Sequence, residues 1–219
     1  MHAPSETELV RFKGWTLRVR STGARPIRLL LLIHGWTGDE NSMWVFARKL
    51  PSNYWILAPR APHATKPAGY SWRLPPPERD SGPDLEALRL SAEALISLVD
   101  AYSTDQGFQA GTFDVMGFSQ GAALAGALTL LFPSRIGKAA LLAGFIPKGA
   151  ETLVSAHRLE GVRIFSAHGS MDEMVDIEMA RRAVQLLEAA GAVVTVCEDE
   201  VGHRVSAGCL RGLQAFLLS

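Results

Sequence analysis

The chain has 219 residues, 47% of them hydrophobic and 20% charged, with 22 basic side chains against 22 acidic ones and a formal net charge of zero. That is enough apolar material for one globular domain, residues 1–219, with a sizeable core. Balanced charge without a basic run or stripe argues against nucleic acid or an anionic membrane surface as partner, and the longest aliphatic runs, 29–33 and 139–143, are far too short to span a bilayer.

In chain order, residues 9–20 read as a strand or hairpin arm. Residues 27–33 are a nearly all-apolar strand of the kind buried on both faces of a parallel sheet. A loop leads into a helical stretch over 42–50, and 54–58 is the next strand, ended by Pro59. From 60 to 83 the chain is rich in Pro, Gly and aromatics, including Gly69-Tyr-Ser-Trp and three consecutive prolines at 75–77. A loop of that length in a compact domain is usually functional or disordered; its aromatics favour a packed lip over a pocket. Pro83 opens a helix with Asp84 and Glu86 in its first turn and Leu85, Leu88, Leu95, Ile96 and Val99 as its apolar stripe.

Strand 113–116, helix 120–132, strand 139–143, strand 162–167, helix 178–190, strand 192–197 and a last helix to about 217 complete the pattern. Strands alternating with helices predict an α/β fold with a mostly parallel central sheet and helices on both faces. In such sheets ligands bind at the carboxyl ends of the strands.

The polar, acidic start, Met1-His-Ala-Pro-Ser-Glu-Thr-Glu, does not read as a secretory leader. Together with only two cysteines, Cys197 in a strand and Cys209 in a helix, it predicts a cytoplasmic protein with reduced thiols, a disulfide or a reactive thiol being the alternative. No pair of cysteines or histidines at ligand spacing predicts a metal, and no motif calls for a cofactor.

The most informative segment is Gly117-Phe-Ser-Gln-Gly, with an apolar strand before it and a small-residue helix after it. That is the setting of a G-x-S-x-G nucleophile elbow, in which a strained turn exposes the hydroxyl of Ser119. A Cβ at position 117 or 121 is expected to clash with neighbouring chain. The N–H of Gln120, at the helix N-terminus, is placed to meet developing negative charge.

A serine hydroxyl needs a base. His203, in the loop after the final strand, is the best candidate. The imidazole needs an orienting acid, and Asp172, Glu173 and Asp176 compete in the preceding loop. Asp172 is nearest the strand end, whereas Asp176 suits a helix cap. The order Ser119, Asp172, His203 is the α/β-hydrolase order. A second oxyanion donor is expected from the backbone N–H of Trp36, in the loop after strand 27–33. His34 and His168 read as structural histidines. Met43, Trp44, Tyr70 and Trp72 fall in segments that reach the strand ends and are candidate pocket residues. Arg60, Lys66 and Arg73 read as solvated loop charges, the alternative being contact with a substrate anion.

The set Leu32-Ile-His-Gly-Trp-Thr-Gly-Asp-Glu, Ala58-Pro-Arg-Ala-Pro, Gly69-Tyr-Ser-Trp, Gly117-Phe-Ser-Gln-Gly-Ala, His168-Gly-Ser-Met-Asp and Gly202-His resembles the phospholipase/carboxylesterase family of α/β-hydrolases, from about residue 27 to the end. That family includes small bacterial carboxylesterases, lysophospholipases and acyl-protein thioesterases. The resemblance implies the α/β-hydrolase fold and a serine esterase acting on a small-molecule ester or thioester. It implies Ser119 as nucleophile, Asp172 as acid, His203 as base, and Trp36 and Gln120 as oxyanion donors. Family members often carry Leu or Thr where this chain has Trp36, and Pro and Val after the aspartate where this chain has Glu173 and Met174. Thioesterase or dienelactone-hydrolase-like activity, and a ligand-binding protein without turnover, are the alternatives on the same scaffold.

Overall fold

A computed structural model describes residues 7–23, 27–47, 50, 53–74, 83–155 and 157–219. The chain opens with a hairpin, β1 (Glu8–Phe12) and β2 (Trp15–Arg20), whose turn residues Lys13 and Gly14 both have positive φ. A two-residue turn of that kind matches the twist of the strands it joins.

The remaining strands of the main sheet are β3 (Arg28–Ile33), β4 (Tyr54–Pro59), β7 (Phe113–Phe118), β8 (Ile136–Leu142), β9 (Arg163–Gly169) and β10 (Val193–Asp199). Two short strands, β5 (His63–Ala64) and β6 (Tyr70–Ser71), pair with each other in the loop after β4. The eight-stranded sheet runs β1-β2-β4-β3-β7-β8-β9-β10. The hairpin attaches antiparallel through β2 and β4, and every pairing from β4 to β10 is parallel. The expected α/β-hydrolase architecture is therefore present, with an antiparallel margin.

The helices are α1 (Trp44–Ala47), α2 (Leu85–Asp105), α3 (Gln120–Leu131), α4 (Ile177–Ala189) and α5 (Ala207–Leu218). Alternation along the strands divides the core. Leu29, Leu31, Ile33 and Val115 pack with α2, α3 and Leu187 of α4, while Leu30, Leu32 and Met116 pack with Met43, Ala47 and α5. Successive side chains of a strand point to opposite faces, so an unbroken apolar strand requires a cover on each side. Among the described residues no helix is long and apolar enough to cross a membrane.

The structure shifts some predicted boundaries. Of the predicted helix 42–50, the described residues form the single turn of α1, and residues 48–49 lie outside them. Asp84 sits just before α2 as its cap, its carboxylate accepting from the Ala87 N–H at 2.7 Å, rather than inside the first turn. The three prolines at 75–77 lie outside the described residues.

The reduced-thiol expectation is overturned: Cys197 of β10 and Cys209 of α5 form a disulfide. The side chains meet because α5 folds back over the strand that precedes it, a proximity that a spacing of 12 residues does not announce. This removes one of the two observations behind the cytoplasmic expectation.

Candidate functional site

Parallel register brings the carboxyl ends of the strands together. Ile33 lies opposite Gly117, Phe118 opposite Leu142 and Gly169 opposite Asp199. The loops after β3, β7, β9 and β10 therefore leave the sheet along one edge, where ligands bind in such folds.

Ser119 occupies the turn between β7 and α3 with φ +53° and ψ −118°, a conformation that L-residues rarely adopt and that marks a site held by its surroundings. The surroundings are visible. A Cβ on Gly117 would lie 2.0 Å from the Gly121 carbonyl oxygen, and one on Gly121 would lie 2.1 Å from that of Ile33. Both are far inside contact distance, so the elbow closes only around glycines. Serine before a helix usually turns its hydroxyl back to cap it. Here the strained backbone prevents that, and Ser119 makes no capping bond. Gln120 is the first residue of α3, so its N–H is one of the donors that no helix carbonyl reaches.

Asp172 follows β9. Its carboxylate is wholly buried. One oxygen accepts from the N–H groups of Met174 and Val175 at 2.9 and 3.0 Å. The other accepts from His203 Nδ1 at 2.7 Å. Burial alone would raise the Asp172 pKa; the N–H of Val175, the imidazole of His203 and the N–H of Met174 outweigh it and hold the group below its ordinary value. With Nδ1 donating, Nε2 of His203 is the ring's free acceptor. The His203 ring is 16% exposed and lies 5.1 Å, centroid to centroid, from the ring of Phe118, the residue before the serine.

Gly169 makes this pairing possible. A Cβ there would lie 2.1 Å from the Val201 carbonyl oxygen, so the acid loop and the histidine loop pack backbone to backbone. Of the competing carboxylates, Asp176 caps α4 by accepting from the Glu178 N–H at 2.8 Å. His168 is buried, with Nε2 against the Val175 carbonyl at 2.8 Å, beneath the acid loop.

The loop after β3 approaches from the other side. A Cβ on Gly35 would lie 3.4 Å from the Ser119 Cβ, so the Gly35–Trp36 peptide runs close beside the serine. The Gly35 carbonyl is bound by His34 Nδ1 at 2.7 Å and by the Gly38 N–H at 3.0 Å, and in a trans peptide the Trp36 N–H points the opposite way. His34 Nε2 accepts from the Ala61 N–H at 3.0 Å. Both ring nitrogens are thus used by a neutral imidazole, and burial lowers the His34 pKa even against the bond to Gly35.

The candidate pocket residues divide. Trp72 is fully buried and Met43 nearly so, both in the core. Trp72 donates its indole N–H to the His34 carbonyl at 2.8 Å and its backbone N–H to Gln120 Oε1 at 3.0 Å. It holds the elbow and the β3 loop together and is not a wall of a cleft. Trp44 is half-buried and donates to the Glu40 carbonyl at 3.0 Å. Tyr70 is half-buried, and its carbonyl accepts from the Thr37 N–H at 3.0 Å. Arg60, partly exposed, is engaged rather than a free loop charge: it forms a two-pronged pair with buried Glu40 at 2.7 and 2.8 Å and donates to the Tyr70 hydroxyl at 3.0 Å.

Sequence reasoning missed Met171 and Met174, which are exposed on either side of Asp172, as Trp36 is beside Gly35. It also missed the Gln120 side chain, buried and bonded to Ser71 and Trp72. An amide beside Ser119 was the signal for the second; nothing in the pattern marked the methionines. Among the described residues, the ligand atoms of Cys197, Asp199 and Cys209 cluster within 4.8 Å, but disulfide sulfurs are not the thiolates a metal requires.

A family profile described as Phospholipase/Carboxylesterase matches residues 16–218. Acyl-protein thioesterase 1 of Kluyveromyces lactis is 26% identical over 191 residues, 78% of this chain and 81% of that protein. A carboxylesterase structure from Mesorhizobium loti superposes with a TM-score of 0.82 at 22% identity, covering 97% of this chain and 99% of that one. The Bacillus cereus carboxylesterase superposes with a TM-score of 0.81 at 22% identity, covering 94% of each chain. At that identity the two structures establish likeness of fold.

Proposed function

The chain belongs to the phospholipase/carboxylesterase family, a family of ester hydrolases, and from that membership we propose that it cleaves carboxylic esters by two-step acyl transfer. Ser119 is the nucleophile, His203 the base, Asp172 the orienting acid, and the N–H groups of Trp36 and Gln120 the oxyanion hole. The observation that carries this reading is the 2.7 Å bond from His203 Nδ1 to a buried Asp172 carboxylate, made beside an elbow that leaves the Ser119 hydroxyl uncapped.

His203 Nε2 takes the Ser119 proton as the oxygen attacks the carbonyl carbon. The two N–H groups stabilise the oxyanion, and each such donor contributes about a hundred- to a thousandfold in rate. The imidazolium, stabilised by Asp172, gives its proton to the leaving alcohol. Water then attacks the acyl-enzyme by the same route, releasing the acid and restoring the serine. The exposed side chains of Trp36, Met171 and Met174 favour an apolar acyl group on the substrate.

Thioesters are the second reading, favoured by relatives named acyl-protein thioesterase at 25–26% identity over about four-fifths of this chain. A chain-length series of p-nitrophenyl esters and acyl thioesters, with wild type and Ser119→Ala side by side, tests both. Wild type should turn over one or both series, and Ser119→Ala should lose at least about 10³-fold in kcat. Equal activity in the variant refutes the mechanism. Failure of Ser119 to react with a fluorophosphonate would instead indicate a binding protein.

A further inference from the structure

At the opposite edge of the sheet, where the parallel strands begin, Arg28, Lys138 and Arg163 line a cavity of about 320 Å³ with one carboxylate, Asp114. The carboxylate is already engaged. One of its oxygens accepts from Arg28 at 2.8 Å and from the Tyr54 hydroxyl at 2.7 Å. Lys138 is buried and donates to the carbonyls of Phe216 and Leu217 at 2.9 and 3.2 Å. An ammonium has three N–H groups, so these two carbonyls do not exhaust it, and Lys138 lines the cavity. Arg163 donates to the Ser219 hydroxyl at 2.8 Å and has further guanidinium donors.

Among the described residues, neither Lys138 nor Arg163 has a carboxylate at ion-pair distance. Three cations and one acid leave an excess of two positive charges around a recessed space. The crowding is felt inside the cluster: burial first, then Arg28 and Arg163, push the Lys138 ammonium below its ordinary pKa, against the pull of Asp114. Uncompensated like charges gathered around a concavity are costly without a counter-ion. Guanidinium forks suit oxygens of phosphate or carboxylate type.

We propose that this cavity binds a small multivalent oxyanion, a phosphate or a short dicarboxylate, between Arg28, Lys138 and Arg163. The charge excess matches a dianion, and the volume admits one. Asp114 and Phe118 are four residues apart along β7, about 13 Å at the rise of an extended chain, and Ser119 lies beyond Phe118 in the turn. The site is therefore separate from the proposed ester site and independent of that reading.

The test is titration of inorganic phosphate, and separately of succinate, into the protein at constant ionic strength set with sodium chloride. It is read by calorimetry and by melting temperature. A saturable heat with a matching rise in Tm, at least about tenfold weaker in Arg163→Gln, is the expected result; which probe binds names the source. Arg163→Gln exchanges a half-exposed side chain and keeps the buried Lys138 in place, so the fold is not at issue. No saturable heat with either probe, or binding by Arg163→Gln equal to wild type, overturns the proposal.

Discussion

Breaking the Cys197–Cys209 disulfide should both destabilise the protein and disturb His203. The two cysteines are 12 residues apart, and His203 lies midway between them. In the chain-entropy account, cross-linking a loop of this length removes roughly 9–10 cal/mol/K from the unfolded ensemble, or about 3 kcal/mol at 25 °C. For a chain of this size, 1 kcal/mol moves the midpoint by roughly 2–4 °C, so reduction should lower Tm by about 6–12 °C. The second consequence is local. The disulfide ties the end of β10 to the start of α5, and the histidine loop is strung between them. Releasing one anchor should loosen the 2.7 Å contact of His203 with Asp172 and lower kcat on an ester substrate more than it raises KM. The assay is thermal unfolding and steady-state hydrolysis with and without a phosphine reductant, set against Cys197→Ser/Cys209→Ser. Mass spectrometry after thiol alkylation confirms the redox state. An unchanged Tm after verified reduction, or alkylation of both cysteines in the native oxidised protein, would refute the reasoning.

Two further outcomes follow from the acid loop. In Asp172→Asn, the side-chain oxygen is expected to keep the N–H groups of Met174 and Val175, which turns the new NH2 toward His203 Nδ1. The ring must then carry its proton on Nε2, where it cannot accept one from Ser119, and kcat should fall about 10⁴-fold with the melting curve little changed; a loss of under about tenfold in kcat would remove Asp172 from the mechanism. The same group bears on acid stability. Asp172 and Glu40 both titrate below their ordinary values: in Asp172 backbone and imidazole bonds overcome burial, and in Glu40 the Arg60 bond leads. A carboxyl depressed by folding stabilises the native state above its unfolded pKa, about 4, and loses that contribution as pH falls through the folded value. The urea midpoint should therefore drop from pH 7 to pH 3, with a smaller drop in Glu40→Gln; equal midpoints at both pH values would contradict the assignment.

Much of the site was legible because its determinants are local. The elbow glycines, the strand before Ser119 and the small-residue helix after it form one contiguous segment, and the steric reason for Gly117 and Gly121 can be stated before any neighbour is known. Asp172 was separable from Asp176 by its distance from the strand end. The burial of Trp72 and Met43 was not legible, for the opposite reason. Aromatics and methionines serve cores and clefts equally well, so Trp72 and Met43 carried no mark of burial, and Met171 and Met174 none of exposure.

Alternation of apolar strands with helices, and the positions of Ser119, Asp172 and His203 just after strands, determined by themselves that a parallel sheet would gather their loops on one edge. Each of those properties is written in neighbouring residues, and parallel register does the rest. Folding alone decided that Cys197 meets Cys209, that Arg60 is engaged by Glu40, and that Arg28, Lys138 and Arg163 crowd one cavity beneath the sheet. Those pairs and clusters join residues from separate strands and loops, and the distances that set their chemistry exist only once the sheet has stacked its strands side by side.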